Sequence, residues 1–171
     1  MVDNKSPIRV AVVGVGHHGR HHARIYSGMN DVKLAGVVDV NPETASSVAA
    51  EYNTEAYTRT SEILNKVDAV SIAVPAESHL SVAEAFIKKG VHIFMEKPVA
   101  VSSSEANILA GLVKKSGIIF QAGHIERFNP AIKALSSIIK QPLFIEVHRL
   151  CRFSGRCADV GVVMDLMVHD L

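Results

Sequence analysis

The chain has no tryptophan, and only 5% of its 171 residues are aromatic. That excludes a core built on large rings and leaves valine, isoleucine and alanine to fill it. There are two cysteines, Cys151 and Cys157, at a spacing with no metal signature. A disulfide-stapled extracellular fold is therefore not expected, and a reducing cytoplasm is the default setting. Charge of one sign is also lacking: 18 Lys and Arg against 17 Asp and Glu leave a formal +1. Such a balance gives no field for nucleic acid or for an anionic membrane surface. No apolar run approaches the ~20 residues of a spanning helix. The opening M-V-D-N-K-S-P lacks the apolar stretch of a signal peptide.

What is present begins with V-G-V-G-H-H-G. Gly14, Gly16 and Gly19 form G-x-G-x-x-G directly after the apolar run Ile8–Val13. Asp39 follows Gly19 by twenty positions, at the end of a second apolar run, Leu34–Val38. Strand, tight turn, helix, strand and acid in this order are a dinucleotide-binding fingerprint in its required context. Gly14 permits the sharp turn, Gly16 lets backbone approach a pyrophosphate, and Gly19 lets the helix pack close to the strand. The helix N-terminus, with His17 and His18 in its first turn, offers N–H groups and a positive dipole end to phosphates. Asp39 can accept hydrogen bonds from a ribose diol. A 2′-phosphate needs a nearby cation, and Val40, Asn41 and Pro42 supply none, so NAD is favoured over NADP.

The remaining sequence alternates strand and helix. Strands are expected at Arg9–Val13, Lys33–Asp39, Ala69–Val74, His92–Glu96 and Ile118–Ala122, with a weak edge strand at Ala56–Tyr57. Their near-continuous apolar character suits strands covered on both faces. Helical spacing marks residues 18–27, 42–52, 61–65, 78–89 and 103–116. Pro42 fits a first helical turn, Ser103 an N-cap, and Gly90 and Gly117 helix C-termini. The pattern predicts an α/β fold: a doubly wound parallel-sheet Rossmann domain over residues 1–125. The register changes near Asn129–Pro130. A helix is expected over 130–140, then a strand over 143–153 whose apolar and charged residues alternate. This reads as the start of a C-terminal α+β domain over 126–171, one that looks truncated, since a second domain of usual size would need ~100–150 more residues.

The four histidines His17, His18, His21 and His22 include pairs at ligand spacing, but no cysteine or carboxylate joins them in the sequence. They sit where a helix faces phosphates, so no metal site is expected. A short-chain reductase is excluded because Tyr26, Tyr52 and Tyr57 have no lysine four residues later.

Three further motifs follow the first turn: A-V-P-A-E-S-H at Ala73–His79, E-K-P at Glu96–Pro98, and G-V-V-M-D-L-M-V-H-D at Gly161–Asp170. Together they resemble the glucose–fructose oxidoreductase / inositol dehydrogenase (Gfo/Idh/MocA) family of NAD(P)-dependent oxidoreductases, over nearly the whole chain. The resemblance implies a Rossmann domain followed by an α+β domain through whose open sheet members form homo-oligomers. It implies oxidation or reduction of a secondary alcohol on a sugar or cyclitol. It matches Lys97 to the family's E-K-P lysine, and Asp165 and His169 to its D-x-x-x-H pair, as catalytic residues. The chemistry suits those types. A histidine titrating near neutrality can take an alcohol proton as hydride leaves. A carboxylate one helical turn away can orient it, and a lysine can stabilise developing alkoxide charge. Pro75 falls in the loop lining the nicotinamide side, and Glu96 supports the lysine loop and borders the cofactor. His79 either lines the same side or caps the next helix. A cis bond before Pro98 is also implied.

The segment G-H-I-E-R-F-N-P-A, Gly123–Ala131, resembles that of nucleotide-sugar dehydrogenases, in particular those acting on the C3 hydroxyl of UDP-N-acetylglucosamine. Arg127 and Asn129 then fall near the substrate. Arg149, Arg152 and Arg156 either meet a diphosphate or form a solvated strand edge and basic loop. The alternative reading of the whole chain is a truncated, non-catalytic module that binds dinucleotide. It would expose apolar surface at 143–153 and 162–171, to be paired with another copy or left poorly ordered.

Overall fold

The computed structural model describes residues 6–148. Six parallel strands form one sheet in the order β3-β2-β1-β4-β5-β6. They are β1 Ile8–Val13, β2 Val32–Val38, β3 Ala56–Tyr57, β4 Ala69–Ile72, β5 His92–Met95 and β6 Phe120–Ala122. Between them run α1 His17–Ser27, α2 Pro42–Glu51, α3 His79–Ile87 and α4 Ser103–Ser116. Each strand expected from sequence up to Ala122 is present, its ends within two residues of those expected. The helix expected over 61–65 is replaced by a 3-10 turn, Thr60–Glu62.

Alternation along the strands feeds two cores. Ala11, Val13, Val70, Ile72, Ile93 and Met95 face one side, where Phe86 of α3 and Leu109 of α4 close over them. Val12 and Val37 face the other, under Ala23 of α1 and Val48 of α2. Phe86 is fully buried, and burial of such a side chain stabilises by ~1.5–3 kcal/mol.

Local signals end the helices. Asn41 caps α2, its side-chain oxygen accepting from the N–H groups of Glu43 and Thr44, with Pro42 in the first turn. Helix α4 is capped by Ser102, which accepts from Glu105 N at 3.2 Å, and not by Ser103. Gly90 and Gly117 follow helices with φ of +71° and +70°. At the other end of the sheet, Arg9 holds both oxygens of Asp68 and keeps that carboxyl down at about 2.

The strand order reverses between β1 and β4, so the crevice where α/β folds take ligands opens at their C-terminal ends. The chain divides into two units between Ala122 and Gly123. In the second, a 3-10 turn Ile125–Phe128 leads into α5, Pro130–Ile138, capped by Asn129. Helix α5 stops short of the expected Lys140 because Ile139 turns extended, at φ −86° and ψ 112°. Residues 143–148 form no strand, contrary to expectation, and Leu143, Phe144, Ile145 and Val147 are exposed. The rest of that expected strand, and the apolar stretch 162–171, lie outside the described residues.

Candidate dinucleotide and hydride-transfer site

The glycine turn sits at the switch point. Gly14 has φ +81°, and a Cβ there would stand 2.8 Å from the backbone of Ala73 and Val74, in the loop after β4. A Cβ on Gly19 would fall 1.8 Å from the carbonyl oxygen of Gly14, so α1 packs directly on the turn. At Gly16 the space is open: a Cβ would meet nothing within 4 Å. Two glycines are thus required by the fold, and the third leaves room outside it.

Gly16 begins α1 with no side-chain cap and no acid in the first turn. The leading N–H groups, with exposed His17 and His18 beside them, remain available to an anion. Burial lowers the pKa of His18, with Glu96 opposing that effect. Beside the turn, Gly16, His17, Arg20 and His21 of α1 and Glu43, Thr44 and Ser47 of α2 line an open cleft of about 490 Å³. Among the described residues no group of His, Cys, Asp and Glu is arranged to hold a metal.

Asp39 lies just past β2, half-buried. One carboxylate oxygen accepts from Val15 N at 3.0 Å and the other from Asn41 N at 2.9 Å. The acid therefore shapes the glycine turn as well as standing where a ribose diol would be recognised. A carboxylate has about four acceptor sites, so two remain for hydroxyls. The open approach at Gly16, the uncapped helix and this acid fit a dinucleotide.

The second loop follows β5. Glu96 accepts from Nε2 of His22 on α1 at 3.0 Å and from Lys97 N at 3.3 Å. Burial alone pushes the Glu96 carboxyl up, but the His22 hydrogen bond and charge and the Lys97 amide outweigh it and leave the pKa below the usual value. Lys97 is half-buried, and its bond to Pro98 is cis. Pro75 is exposed in the loop after β4.

His79 is 1% exposed, with Nδ1 2.9 Å from the Pro98 carbonyl and Nε2 2.9 Å from the Val74 carbonyl. A neutral ring has one N–H and donates to one of these carbonyls, and the helix cap position falls on Ser78. The His79 ring ties the loop after β4 to the loop after β5. Burial lowers its pKa, opposed by the Pro98, Val74 and Val99 backbone.

In the second unit Arg127 is exposed on the 3-10 turn. The Asn129 side chain accepts from Ala131 N and donates to Glu126, a helix-capping task that the sequence reading did not assign. Arg149, Asp165 and His169 lie outside the described residues, as do Cys151 and Cys157.

Comparison with known proteins agrees with this geometry. The chain is 42% identical over 165 residues to the UDP-N-acetylglucosamine 3-dehydrogenase of Acidithiobacillus ferrooxidans, covering 96% of this chain and 52% of that one. A solved structure of that enzyme superposes with a TM-score of 0.89 at 41% identity, covering 97% of this chain and 55% of the other. GenD2 from gentamicin A biosynthesis, solved in complex with NAD, gives a TM-score of 0.75 at 27% identity over 78% of this chain and 39% of its own. The chain spans about half the length of these relatives. Residues 8–124 match the Gfo/Idh/MocA profile, described as an oxidoreductase family with an NAD-binding Rossmann fold. With the glycine turn, Asp39 after β2 and the E-K-P loop assembled on a single sheet, the chain belongs to the Gfo/Idh/MocA family of NAD-binding oxidoreductases.

Proposed function

We propose that this chain carries the NAD-binding half of a dehydrogenase that oxidises a secondary alcohol of a nucleotide sugar, the C3 hydroxyl of UDP-N-acetylglucosamine being the best match. The observation that carries the reading is the 42% identity to an enzyme of that name across 96% of the chain. The arrangement of the two loops supports it. Bound NAD would supply the hydride acceptor. Gly14, Gly16, Gly19 and the start of α1 would hold its pyrophosphate, Asp39 its adenosine ribose, and the Glu96–Lys97 loop and Pro75 would border its nicotinamide end.

The roles of the reacting groups follow from their chemistry. His169 takes the proton from the substrate hydroxyl as hydride departs. Asp165, four residues earlier in the sequence, orients that imidazole. Lys97 stabilises the negative charge growing on the alcohol oxygen. Arg127, Asn129 and Arg149 recognise the nucleotide-sugar portion, and a homo-oligomer forms through the C-terminal domain.

The test is formation of reduced nicotinamide, followed by absorbance, with UDP-N-acetylglucosamine, UDP-glucose and myo-inositol as alternative substrates. Turnover of UDP-N-acetylglucosamine above the other two supports the reading. Preference for inositol would overturn the substrate class, and NAD binding without turnover of any alcohol would favour the binding-module reading.

A further inference from the structure

Ser71 is fully buried on β4 among apolar neighbours, and dinucleotide binding has no use for it. Its hydroxyl is 2.6 Å from Nδ1 of His22. The far nitrogen of His22 meets Glu96, whose other oxygen receives the Lys97 amide. The edge of the imidazole also packs against Phe94, with ring centroids 5.5 Å apart. His22 is on α1, Ser71 on β4, and Glu96 and Lys97 follow β5.

For a neutral His22 ring, donor and acceptor accounting allows one arrangement, whereas an imidazolium would donate from both nitrogens. An ionised carboxylate only accepts. Glu96 therefore takes the proton-bearing Nε2 of His22 on one oxygen and the Lys97 N–H on the other. In neutral His22, Nδ1 is then a lone pair, and Ser71 must donate to it. The chain of donors then runs from Ser71 on β4 through His22 on α1 to Glu96 in the lysine loop. Partners of this kind fix a histidine's tautomer and orientation.

We propose that His22 is a positioning residue, which hangs the Glu96–Lys97 loop on the same helix whose N-terminus receives the dinucleotide phosphates. Helix α1 then sets both ends of the site: phosphates at its tip, and the lysine through its second turn. The inference rests on the proposed placement of Lys97 at the nicotinamide end, but the hydrogen-bond chain itself can be read without ligand.

Nitrogen-15 NMR of the histidine side chains in the 171-residue chain gives the first readout. The expected result is an Nε2–H tautomer for His22, lost toward a mixture in Ser71→Ala; an Nδ1–H tautomer overturns the chain of donors. The second readout is the Lys97 backbone amide signal together with binding of NADH and ADP, which lacks the nicotinamide riboside. His22→Phe keeps a ring against Phe94 but loses both hydrogen bonds; His22→Gln keeps an amide donor for Glu96. His22→Phe should shift the Lys97 amide and weaken NADH about tenfold while changing ADP less than about twofold, with His22→Gln recovering most of the loss. Equal losses for NADH and ADP, or an unmoved Lys97 amide, overturn the proposal. If His22→Phe does not fold, the tautomer and His22→Gln decide the matter. Failure of the unmodified chain to bind NADH would count against the dinucleotide reading, whereas the tautomer would still judge the relay.

Discussion

Gly16 and Gly19 belong to one motif, yet the fold asks different things of them. A methyl group at Gly19 collides with the Gly14 carbonyl at 1.8 Å, while one at Gly16 meets open space. Gly19→Ala should therefore lower stability by several kcal/mol or prevent folding, since backbone must move to admit it. Gly16→Ala should melt within about 0.5 kcal/mol of the parent but bind NAD poorly, because the methyl occupies the phosphate's approach. Thermal melts and calorimetric titration of the two variants check this. Asp39 closes the turn through Val15 and Asn41, and recognition of a ribose is its proposed second task. Asp39→Asn keeps one acceptor oxygen and puts a donor where the carboxylate accepted. NAD affinity should fall about tenfold, equivalent to ~1.4 kcal/mol, with a measurable drop in melting temperature.

At the scale of elements, helix caps and loop ties are where structure and sequence reading part. Ser102 and Ser103 are indistinguishable as cap candidates by type, and only the backbone shows that Ser102 is extended and accepts from Glu105. Ser102→Ala should cost ~1 kcal/mol, against a few tenths at most for Ser103→Ala, by chemical denaturation. His79 makes the tie between the loops after β4 and β5. Its pKa is depressed in the folded chain by burial, from an ordinary value of 6.5. The folded state then resists a proton that the unfolded chain accepts, so stability is full above pH 6.5 and declines as pH falls through the folded value. Burial depresses His18 as well, and its contribution has the same sign. Asp68 stays ionised down to about 2, so it does not account for losses in mildly acid solution. Denaturation midpoints measured from pH 8 downward should fall below pH 6.5, and His79→Gln should flatten that fall.

At the scale of the molecule, the sheet was largely legible because its strands are continuous apolar runs separated by helical spacing and glycine stops. The glycine turn was legible because Gly14 and Gly19 have separate steric reasons and stand at fixed spacing after a strand. Gly36 escaped notice: the β1–β2 register shifts beside it, and a Cβ there would stand 2.6 Å from the Tyr57 ring. A bulge of this kind depends on a partner strand that local sequence does not reveal. The tasks of His22, Ser71 and His79 escaped for the same reason, since their partners lie 5 to 74 residues away in the chain. Alternation over 143–153 suggested a strand, but pairing needs a neighbour, and residues 143–148 have none among the described residues. Exposed Ile132, Leu135 and Ile138 on α5 belong to the same second unit.

The central claim is that this glycine turn and its acid make a site for NAD. Calorimetric titration of the 171-residue chain with NAD and with NADP, in one buffer, tests it most directly. Saturable binding of NAD, with NADP weaker by about tenfold or more because Asp39 faces the added phosphate, is the predicted result. Equal affinities, a preference for NADP, or no binding of either would contradict it.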